Sequence, residues 1–436
     1  MKNLPGPRSY RPLGMFAEYR RNPFGFMVDN ASKYGSIYAA RFFAHETVFV
    51  NSPELAWKIL VEHQKEFWKG DALSRNRDLL GEGLLTSDGE TWTRERREAQ
   101  PYFLKERLEK YSQIANVRAN ECVSKWGDGP IRLYEEMVAL TVQIVGEALL
   151  GTVISSKVEP RRLSKIFEAV LAYNMQHLTH FWSHIPGVHS KITKQYREAL
   201  AECDSIADDI IAFSLQSCSE NTYLYSLLNR YRLGSISREL VKDQVITSLF
   251  AGHETTALVA SYALLMLAQN REIQESLRAA ESDRGNEARR SLQELSSSLA
   301  GVIKETTRLY PPVWAIPRKT ICPCAVANAL IPENTQVIVI PYVIHRDDRY
   351  YNDPANFHPQ RWTPDFERTL PKGAFLPFGV GPRMCIGAAF ATLELAAIIS
   401  SVVRQFSLSP GDYRLELAPS LTLRPNRPIT VLLNRR

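Results

Sequence analysis

The chain has little that would staple it with disulfides or fix it in a membrane. Its six cysteines are scattered along 436 residues rather than grouped in pairs. Such usage implies no disulfide framework and is typical of a reducing compartment. No window holds the roughly 18 to 20 uninterrupted apolar residues that a transmembrane helix needs, and the N-terminus has no charged-then-apolar signal region. We therefore expect a cytoplasmic protein without a transmembrane anchor.

An excess of charge of one sign is also missing. The formal net charge of +6 is too small to indicate nucleic-acid binding. Basic residues are dense only locally, at Arg94, Arg96, Arg97, Lys105 and Arg107. This basic segment is either a solvated helix face or a docking patch for an acidic electron-donor protein, and the sequence leaves both open.

Apolar residues recur mostly at helical spacing, which predicts a mainly α protein with small sheets at its edge. No repeat or linker-like composition shift divides the sequence, so we expect a single domain over residues 1–436. Helices are predicted at about 53–63, 90–100, 135–150, 162–184, 190–218, 237–269, 294–309 and 388–403. Strands are predicted at 36–41, 47–51, 336–341, 421–423 and 429–433.

The sequence also contains two groups of metal-binding residue types. Cys322-Pro-Cys324 is too tight for the common zinc spacings and lacks a second pair, so we interpret it as strand packing. His177, His180 and His184 recur on one face of a predicted helix. Three imidazoles on a face can bind a transition metal, but such histidines more often line a surface, which is the interpretation we favour.

One cysteine lies in an unusual setting. The segment Phe378-Gly-Val-Gly-Pro-Arg-Met-Cys385-Ile-Gly387 places it between a glycine-rich turn and a predicted helix. A thiolate is favoured at a helix start, because free backbone N–H groups and the helix dipole stabilise negative charge. The glycines leave the backbone bare, so that it can lie against a large planar group. A soft anionic ligand beside a bare backbone describes a haem iron bound by cysteine.

A second unusual segment, Ala251-Gly-His-Glu-Thr-Thr256, lies inside the apolar run 237–269. A glycine, an acid and two hydroxyls cost stability in such a helix, which points to a function. Gly252 is expected to open space for a small molecule, while Glu254 and Thr255 supply and relay protons. The alternative is that the Thr255 hydroxyl bonds to a carbonyl of its own helix.

These motifs resemble the signatures of the cytochrome P450 family. Residues 378–387 match the haem-binding pattern Phe-x-x-Gly-x-Arg-x-Cys-x-Gly at every fixed position, and residues 251–255 resemble the family's oxygen-binding motif. Glu305-Thr-Thr-Arg308 resembles the Glu-x-x-Arg motif, which the family joins to a later arginine, here Arg361, in a structural clamp. The resemblance runs from Leu4 to the last predicted strands, and it implies the mainly α P450 fold.

The resemblance also implies a set of site residues. Cys385 would be the axial ligand of the iron in haem b, and Glu254 and Thr255 would be the catalytic pair that delivers protons. Arginine suits the haem carboxylates because its planar fork bonds a carboxylate through two N–H groups. The implied cofactor-binding residues are Trp92, Arg96, Ala251, Gly252, Arg318, Phe378, Arg383, Cys385 and Gly387.

The implied activity is that of a monooxygenase of secondary metabolism that hydroxylates or epoxidises a lipophilic molecule with O2. Terpenoids or carotenoids, fatty acids and polyketide-like compounds all remain open as substrates. The sequence has no flavin or iron–sulfur motif, so we expect a separate ferredoxin- or flavodoxin-type donor with its reductase, and a monomeric enzyme. Mostly apolar segments are expected to contact the substrate; they are residues 71–84, 173–182, 250–251, 313–316 and those near 421.

Two other functions remain open from the sequence. A P450-like isomerase or peroxide-driven enzyme would need no redox partner. A haem-binding sensor would need only Cys385 and the residues that hold the haem carboxylates.

Overall fold

The computed structural model describes residues 4–151, 160–179, 191–217, 220–282 and 291–436. The α-helices of these residues are α1 Phe16–Arg21, α2 Pro23–Tyr34, α3 Pro53–Trp57, α4 Asp71–Ser74, α5 Arg77–Leu80, α6 Gly89–Ala99, α7 Lys105–Ser124, α8 Leu133–Val145, α9 Pro160–Thr179, α10 Lys191–Ser217, α11 Tyr223–Arg232, α12 Arg238–Gln269, α13 Arg271–Ser282, α14 Ser297–Leu309, α15 Pro341–Ile344, α16 Pro364–Thr369 and α17 Ala388–Gln405.

The β-strands are short. They are β1 Ile37–Phe42, β2 His45–Val50, β3 Phe67–Lys69, β4 Gly129–Arg132, β5 Ile316–Thr320, β6 Cys324–Val326, β7 Ala329–Ile331, β8 Gln336–Val339, β9 Phe406–Ser409, β10 Leu417–Pro419, β11 Leu423–Pro425 and β12 Thr430–Arg435. The mainly α architecture with small sheets is therefore confirmed.

The chain divides into two compact units. The first comprises the described residues up to Asn76, together with Thr307–Cys385 and Leu421–Leu423. The second comprises the described residues of Arg77–Thr306, Ile386–Ser420 and Arg424–Arg436. The single domain over residues 1–436 stays a prediction.

The first unit is built around a five-stranded sheet in the order β1-β2-β8-β5-β3. The predicted hairpin is confirmed, since β1 and β2 pair antiparallel. The other edge of β2 pairs parallel with β8. Val48, Val50, Val337 and Val339 are all buried and, as alternate residues of two neighbouring strands, form one apolar face. Burial of this face against α3 and the turn after it supplies the core of the unit.

Arg308 is a second organising group of the first unit. Its side chain is fully buried and donates hydrogen bonds to the carbonyl oxygens of His345 (2.7 Å), Pro354 (2.8 Å) and Asn356 (3.2 Å). Arg361 donates to the carbonyls of Asn352 and Asp353. Both arginines thus fasten the backbone of the segment after α15. The expected clamp with Glu305 stays a prediction.

His345 completes this arrangement. Its Nε2 accepts a hydrogen bond from the backbone N–H of Leu376 at 2.8 Å, and its Nδ1 lies 3.2 Å from the carbonyl oxygen of Arg308. Burial lowers the pKa of His345 to about 3, so that the ring is neutral at physiological pH. A neutral imidazole can donate at one nitrogen and accept at the other, which is what these two contacts require.

The second unit is organised by α12. Ser237 caps this helix by accepting a hydrogen bond from the N–H of Leu240, and almost every residue from Val241 to Ala268 is buried. The helix packs against α8 and α17, and α17 packs against α7. A helix that is apolar on all sides must be enclosed by other elements, so α12 forms the centre of the unit.

Several predicted boundaries change in the structure. The helix expected to reach residue 63 is α-helical only to Trp57 and continues as a π-helical turn, Lys58–Glu62. The helix expected over 135–150 also ends in a π-helical turn, and it stops as predicted at Gly151, whose φ of +68° favours glycine. The strand expected at 421–423 begins only at Leu423.

Among the described residues, one helix is long and apolar enough to span a membrane. It is α17, and 67% of its apolar window is buried within the protein. Glu394 interrupts this window, which is why it does not count as an uninterrupted apolar run in the sequence.

Candidate functional site

The loop that carries Cys385 is closed by its own backbone. The N–H of Cys385 donates to the carbonyl oxygen of Phe378 at 2.9 Å, and the N–H of Met384 donates to that of Gly381 at 3.0 Å. Gly381 has a φ of +77°, and a Cβ atom there would lie 2.3 Å from the carbonyl oxygen of Leu60. Only glycine fits this position, because the backbone passes too close for any side chain.

Cys385 is accessible to solvent rather than buried in the core. Cys385 is exposed, whereas Cys203 and Cys324 are buried. Phe378 and Arg383 on the same loop are half-buried, and Gly387 caps α17 without a side-chain hydrogen bond. Within its own unit, this loop therefore offers a sulfur atom to an external partner.

Trp92 and Arg96 lie one helical turn apart on α6 and line the same cleft. The cleft has a volume of about 340 Å³. Its other lining residues are Thr93, Arg97, Gln100, Pro101 and Leu104. The mixture of an indole, two guanidinium groups and aliphatic carbon suits a ligand that is apolar in the middle and anionic at its edge.

Arg318 is not a surface arginine. It lies in β5, is only 8% exposed, and donates a hydrogen bond to the carbonyl oxygen of Pro317 at 2.8 Å. A buried guanidinium needs hydrogen-bond acceptors or a counter-charge. That requirement is consistent with the expected carboxylate partner.

Glu254 is buried in α12 and belongs to a three-residue network. Its Oε1 accepts a hydrogen bond from Nε of Arg424 at 2.7 Å, and its Oε2 accepts one from Nη2 of the same residue at 2.9 Å. The hydroxyl of Tyr134, on α8, also donates to Oε2 and in turn accepts from Arg424 at 2.6 Å. Both oxygens of the carboxylate are therefore occupied, and its charge is matched by a fork-like pair.

The electrostatics of this network follow from burial. Burial by itself would lower the pKa of Arg424, but the charge of Glu254, the nearby Tyr134 and the hydrogen bond to Glu254 together outweigh it and raise that pKa. Burial, reinforced by the same carboxylate, raises the pKa of Tyr134. At neutral pH the tyrosine is thus a neutral donor and the arginine a permanent cation.

The Thr255 hydroxyl makes the hydrogen bond within its own helix that the sequence analysis gave as an alternative. It donates to the carbonyl oxygen of Ala251 at 2.8 Å, one turn earlier in α12. Both Ala251 and Thr255 keep some solvent exposure, in contrast to the buried Glu254 between them. A hydroxyl held in this way has a defined direction and retains its own oxygen as an acceptor.

The expectation for Gly252 needs correction. A Cβ atom at Gly252 would lie 2.8 Å from Cγ2 of Val145 on α8. The missing side chain therefore makes room for a neighbouring helix, not for a small molecule. Whether the backbone of this turn contacts the haem stays a prediction.

Glu394 is a second buried acid, on α17. It is 1% exposed and hydrogen-bonded to Thr256 of α12. Burial raises its pKa well above the ordinary value, with the hydrogen bond from Thr256 as a smaller opposing effect. The side chain is thus a neutral carboxylic acid that carries a proton next to the acid–threonine segment.

The basic segment is partly neutralised within the second unit. Glu95 is fully buried and accepts hydrogen bonds from Arg94 and Arg230. Arg97 and Lys105 stay exposed. Only part of the segment therefore presents free charge to a partner.

Tyr134, Arg424 and Glu394 were not predicted from the sequence. Arg424 is 170 residues from Glu254 in the chain, so no spacing could connect the two. Glu394 did leave a signal, since it is an acid inside an apolar helix, the same feature that singled out Glu254. Of the histidine cluster, His177 lies in α9 without a described side chain, and His180 and His184 fall outside the described residues.

An exposed cysteine on a glycine loop and an acid–threonine pair in a buried helix are the features that the sequence analysis expected of a haem-thiolate enzyme. The comparison with known proteins gives the family. The family model for cytochrome P450 matches residues 4–433. The chain therefore belongs to the cytochrome P450 family, whose cofactor is a haem with an axial cysteine thiolate, and it is a monooxygenase that requires O2 and a redox partner.

Individual relatives are similar over most of their length. Cyclooctatin synthase of Streptomyces melanosporofaciens is 28% identical over 422 residues, with 93% of this chain and 88% of the relative covered. Pentalenene oxygenase of Streptomyces avermitilis is 27% identical over 440 residues, covering 99% and 95%. Cytochrome P450 4V2 of Rattus norvegicus is 29% identical over 390 residues, covering 82% and 74%.

The residues present fit the haem that the family implies. A soft sulfur ligand is exposed on a loop that glycines keep bare, and arginines line the cleft beside Trp92. When bound, the haem supplies the activation of O2. By this fit, Cys385 would hold the iron, and Arg96 beside Trp92 would hold a haem carboxylate.

We predict that the Arg424→Leu substitution destabilises the fold by about 3–5 kcal/mol, because it leaves the Glu254 charge buried without a partner. The double substitution Glu254→Leu/Arg424→Leu should recover much of this loss. The measurement is the free energy of unfolding from urea titration followed by circular dichroism.

Arg427→Leu is the matched control for this experiment. Arg427 pairs with Glu416 on the surface, where the two side chains are 66% and 54% exposed. Its loss should change stability by less than about 1 kcal/mol. Equal effects of the two arginine substitutions would contradict the importance of the buried pair.

We predict that the Glu394→Gln substitution stabilises the protein more at pH 8 than at pH 5. The folded pKa of Glu394 is raised above the unfolded value of about 4.3, so the fold keeps a proton that the unfolded chain releases. Its contribution to stability therefore falls as pH rises above that value, and glutamine, which cannot ionise, avoids the loss. Urea titrations at the two pH values, with the exposed Glu416→Gln as control, measure the difference; an equal gain at both would exclude a buried neutral acid.

Proposed function

We propose that this enzyme oxidises a terpenoid, by hydroxylation or epoxidation, with Cys385 as the axial ligand of its haem. The observation that carries the proposal is full-length similarity to two enzymes named for such compounds, cyclooctatin synthase and pentalenene oxygenase. A third relative, also covering 93% of this chain, is named cyclooctat-9-en-7-ol 5-monooxygenase. The apolar segments expected to contact the substrate agree with a hydrocarbon-rich molecule.

The proposed roles of the site residues follow from their contacts. Cys385 supplies the sulfur ligand from its exposed position, and Arg383 lies on the same loop, before Cys385 in the chain. Trp92, Arg96 and Arg318 hold the haem carboxylates, because their indole and guanidinium groups are donors at clefts or buried positions. The backbone of Ala251 and Gly252, with Phe378 and Gly387, borders the haem.

Proton delivery is assigned to Thr255 and Glu254. The Thr255 hydroxyl donates to the carbonyl oxygen of Ala251 in the structure, and after rotation it would hold its proton toward the haem site. Both oxygens of the Glu254 carboxylate are bound by Arg424 and Tyr134 in the structure. We therefore assign proton delivery by Glu254 to a rearrangement of these contacts.

Electrons come from a separate ferredoxin- or flavodoxin-type donor with its reductase. We assign its docking to the exposed part of the basic segment, at Arg97 and Lys105, because an acidic donor would be steered to free cations. The enzyme works as a monomer in the cytoplasm, in secondary metabolism.

The proposal is tested by turnover of the purified holoprotein with a surrogate ferredoxin, its reductase and NADPH. The substrates are cyclic sesquiterpenes and diterpenes, with fatty acids of matched carbon number as the control class. We expect products from the terpenes that carry one oxygen atom from labelled O2. Oxidation of the fatty acids alone would contradict the substrate class, rearranged product without reductant would indicate an isomerase, and no turnover at all would indicate a sensor.

We predict that Thr255→Ala uncouples the enzyme, so that product formed per O2 consumed falls by about tenfold or more. The reason is loss of the hydroxyl that directs a proton. Ser261→Ala is the matched control, since Ser261 lies on the same helix and its hydroxyl donates to Ala257 O at 2.7 Å in the same geometry. Oxygen uptake and product are measured together; unchanged coupling in Thr255→Ala would remove its assigned role.

A further inference from the structure

Two segments that are far apart in the chain meet in the first unit, beside strand β3. His63 follows the π-helical turn, and Glu66 directly precedes β3. The carbonyl oxygen of Glu66 accepts a hydrogen bond from the N–H of Ile321 at 3.0 Å, which extends the pairing of β3 with β5 by one more residue. This backbone contact brings Cys324, the first residue of β6, next to the side chain of Glu66.

The side chains at this junction converge. One ligand atom each from His63, Glu66 and Cys324 lies within 4.8 Å of the others. Nδ1 of His63 is 2.8 Å from Oε1 of Glu66, and the Cys324 thiol is hydrogen-bonded to the same carboxylate. Imidazole, thiol and carboxylate are the three side-chain types that bind zinc in proteins.

We propose that His63, Glu66 and Cys324 bind a zinc ion, with water in the fourth position.

The geometry needs only small changes to form such a site. Zinc holds nitrogen, oxygen and sulfur at about 2.0–2.3 Å in a tetrahedron, which places ligand atoms roughly 3.5 Å apart. The three atoms already lie within 4.8 Å of one another. Rotation of the half-exposed His63 and Glu66 side chains can close this gap, while β6 holds Cys324 in place.

Charge also favours a divalent cation. A thiolate and a carboxylate together carry two negative charges, which match Zn²⁺, and the neutral imidazole adds a donor without further charge. Without metal, the thiol of Cys324 is hydrogen-bonded to the carboxylate of Glu66. On binding, the thiol proton leaves to solvent, because zinc binds the thiolate.

Solvent can reach the site from one side. The side chains of His63 and Glu66 are 35% and 34% exposed, whereas Cys324 is 1% exposed. A metal can therefore enter from the surface, and a water molecule can occupy the remaining corner. The common zinc spacings do not reveal this site in the sequence, because His63 and Glu66 lie 258 or more residues before Cys324.

The test uses tag-free holoprotein equilibrated with a zinc buffer and then freed of loose metal on a chelating column. Mass spectrometry of the metals should find about one zinc per chain, and iron measured in the same run reports the haem content. His63→Ala and Cys324→Ser should each weaken zinc binding by at least about 100-fold while iron stays unchanged. His63 is half-exposed, so its variant keeps the test valid where Cys324→Ser does not fold.

Two matched controls separate this site from incidental binding. His358 forms the same kind of contact with Asp353, at 2.9 Å, but no cysteine belongs to that pair, so His358→Ala should keep the zinc. Cys203 is buried like Cys324 but lies in α10, so Cys203→Ser should also keep it. X-ray absorption at the zinc edge should show one sulfur and light-atom neighbours. Failure to retain zinc, equal retention in every variant, or a zinc spectrum with four porphyrin nitrogens would each overturn the proposal.

Discussion

A negative charge buried inside α12 constrains much of the second unit. Glu254 is 1% exposed, and a lone carboxylate at that depth would cost several kcal/mol. Its compensation comes from distant parts of the chain: Arg424 lies in β11, which pairs with β10, and Tyr134 lies near the start of α8. The position of β11 relative to the central helix is thus fixed by an electrostatic requirement as well as by apolar packing.

The same network bears on function. An acid that delivers protons must be able to exchange them, whereas Glu254 is held by three hydrogen bonds from two partners. Glu394 is hydrogen-bonded to Thr256 and holds a proton because burial disfavours its charged form. The segment Ala251–Thr256 therefore contains a carboxylate that is bound at both oxygens, Glu254, and contacts a neutral carboxylic acid, Glu394.

The long helices and the motifs that carry the candidate site residues could be predicted from the sequence. Contacts between residues that are far apart in the chain could not. An apolar run after a serine cap predicts α12, and Gly151 predicts the end of the helical segment that begins with α8. Strands such as β3 and β6 have three residues each, too few for an alternating pattern to be recognised. Contacts such as Glu254 with Arg424, or Glu66 with Cys324, depend on topology that no local spacing encodes. The prediction for Gly252 failed for a different reason. The sequence suggested that this glycine opens space for a small molecule, whereas its missing side chain makes room for Val145.

Cys385 remains the residue on which the functional account rests. Gly381 in its loop admits no side chain, Cys385 is exposed, and the family to which the chain belongs binds haem through a cysteine thiolate. The most direct measurement is the absorption spectrum of the reduced holoprotein with carbon monoxide. We predict a Soret band at the long wavelength that thiolate ligation produces, lost in Cys385→Ser and kept in Cys203→Ser. A band at the position of histidine-ligated haem in the intact protein, or an unchanged spectrum in Cys385→Ser, would contradict the account.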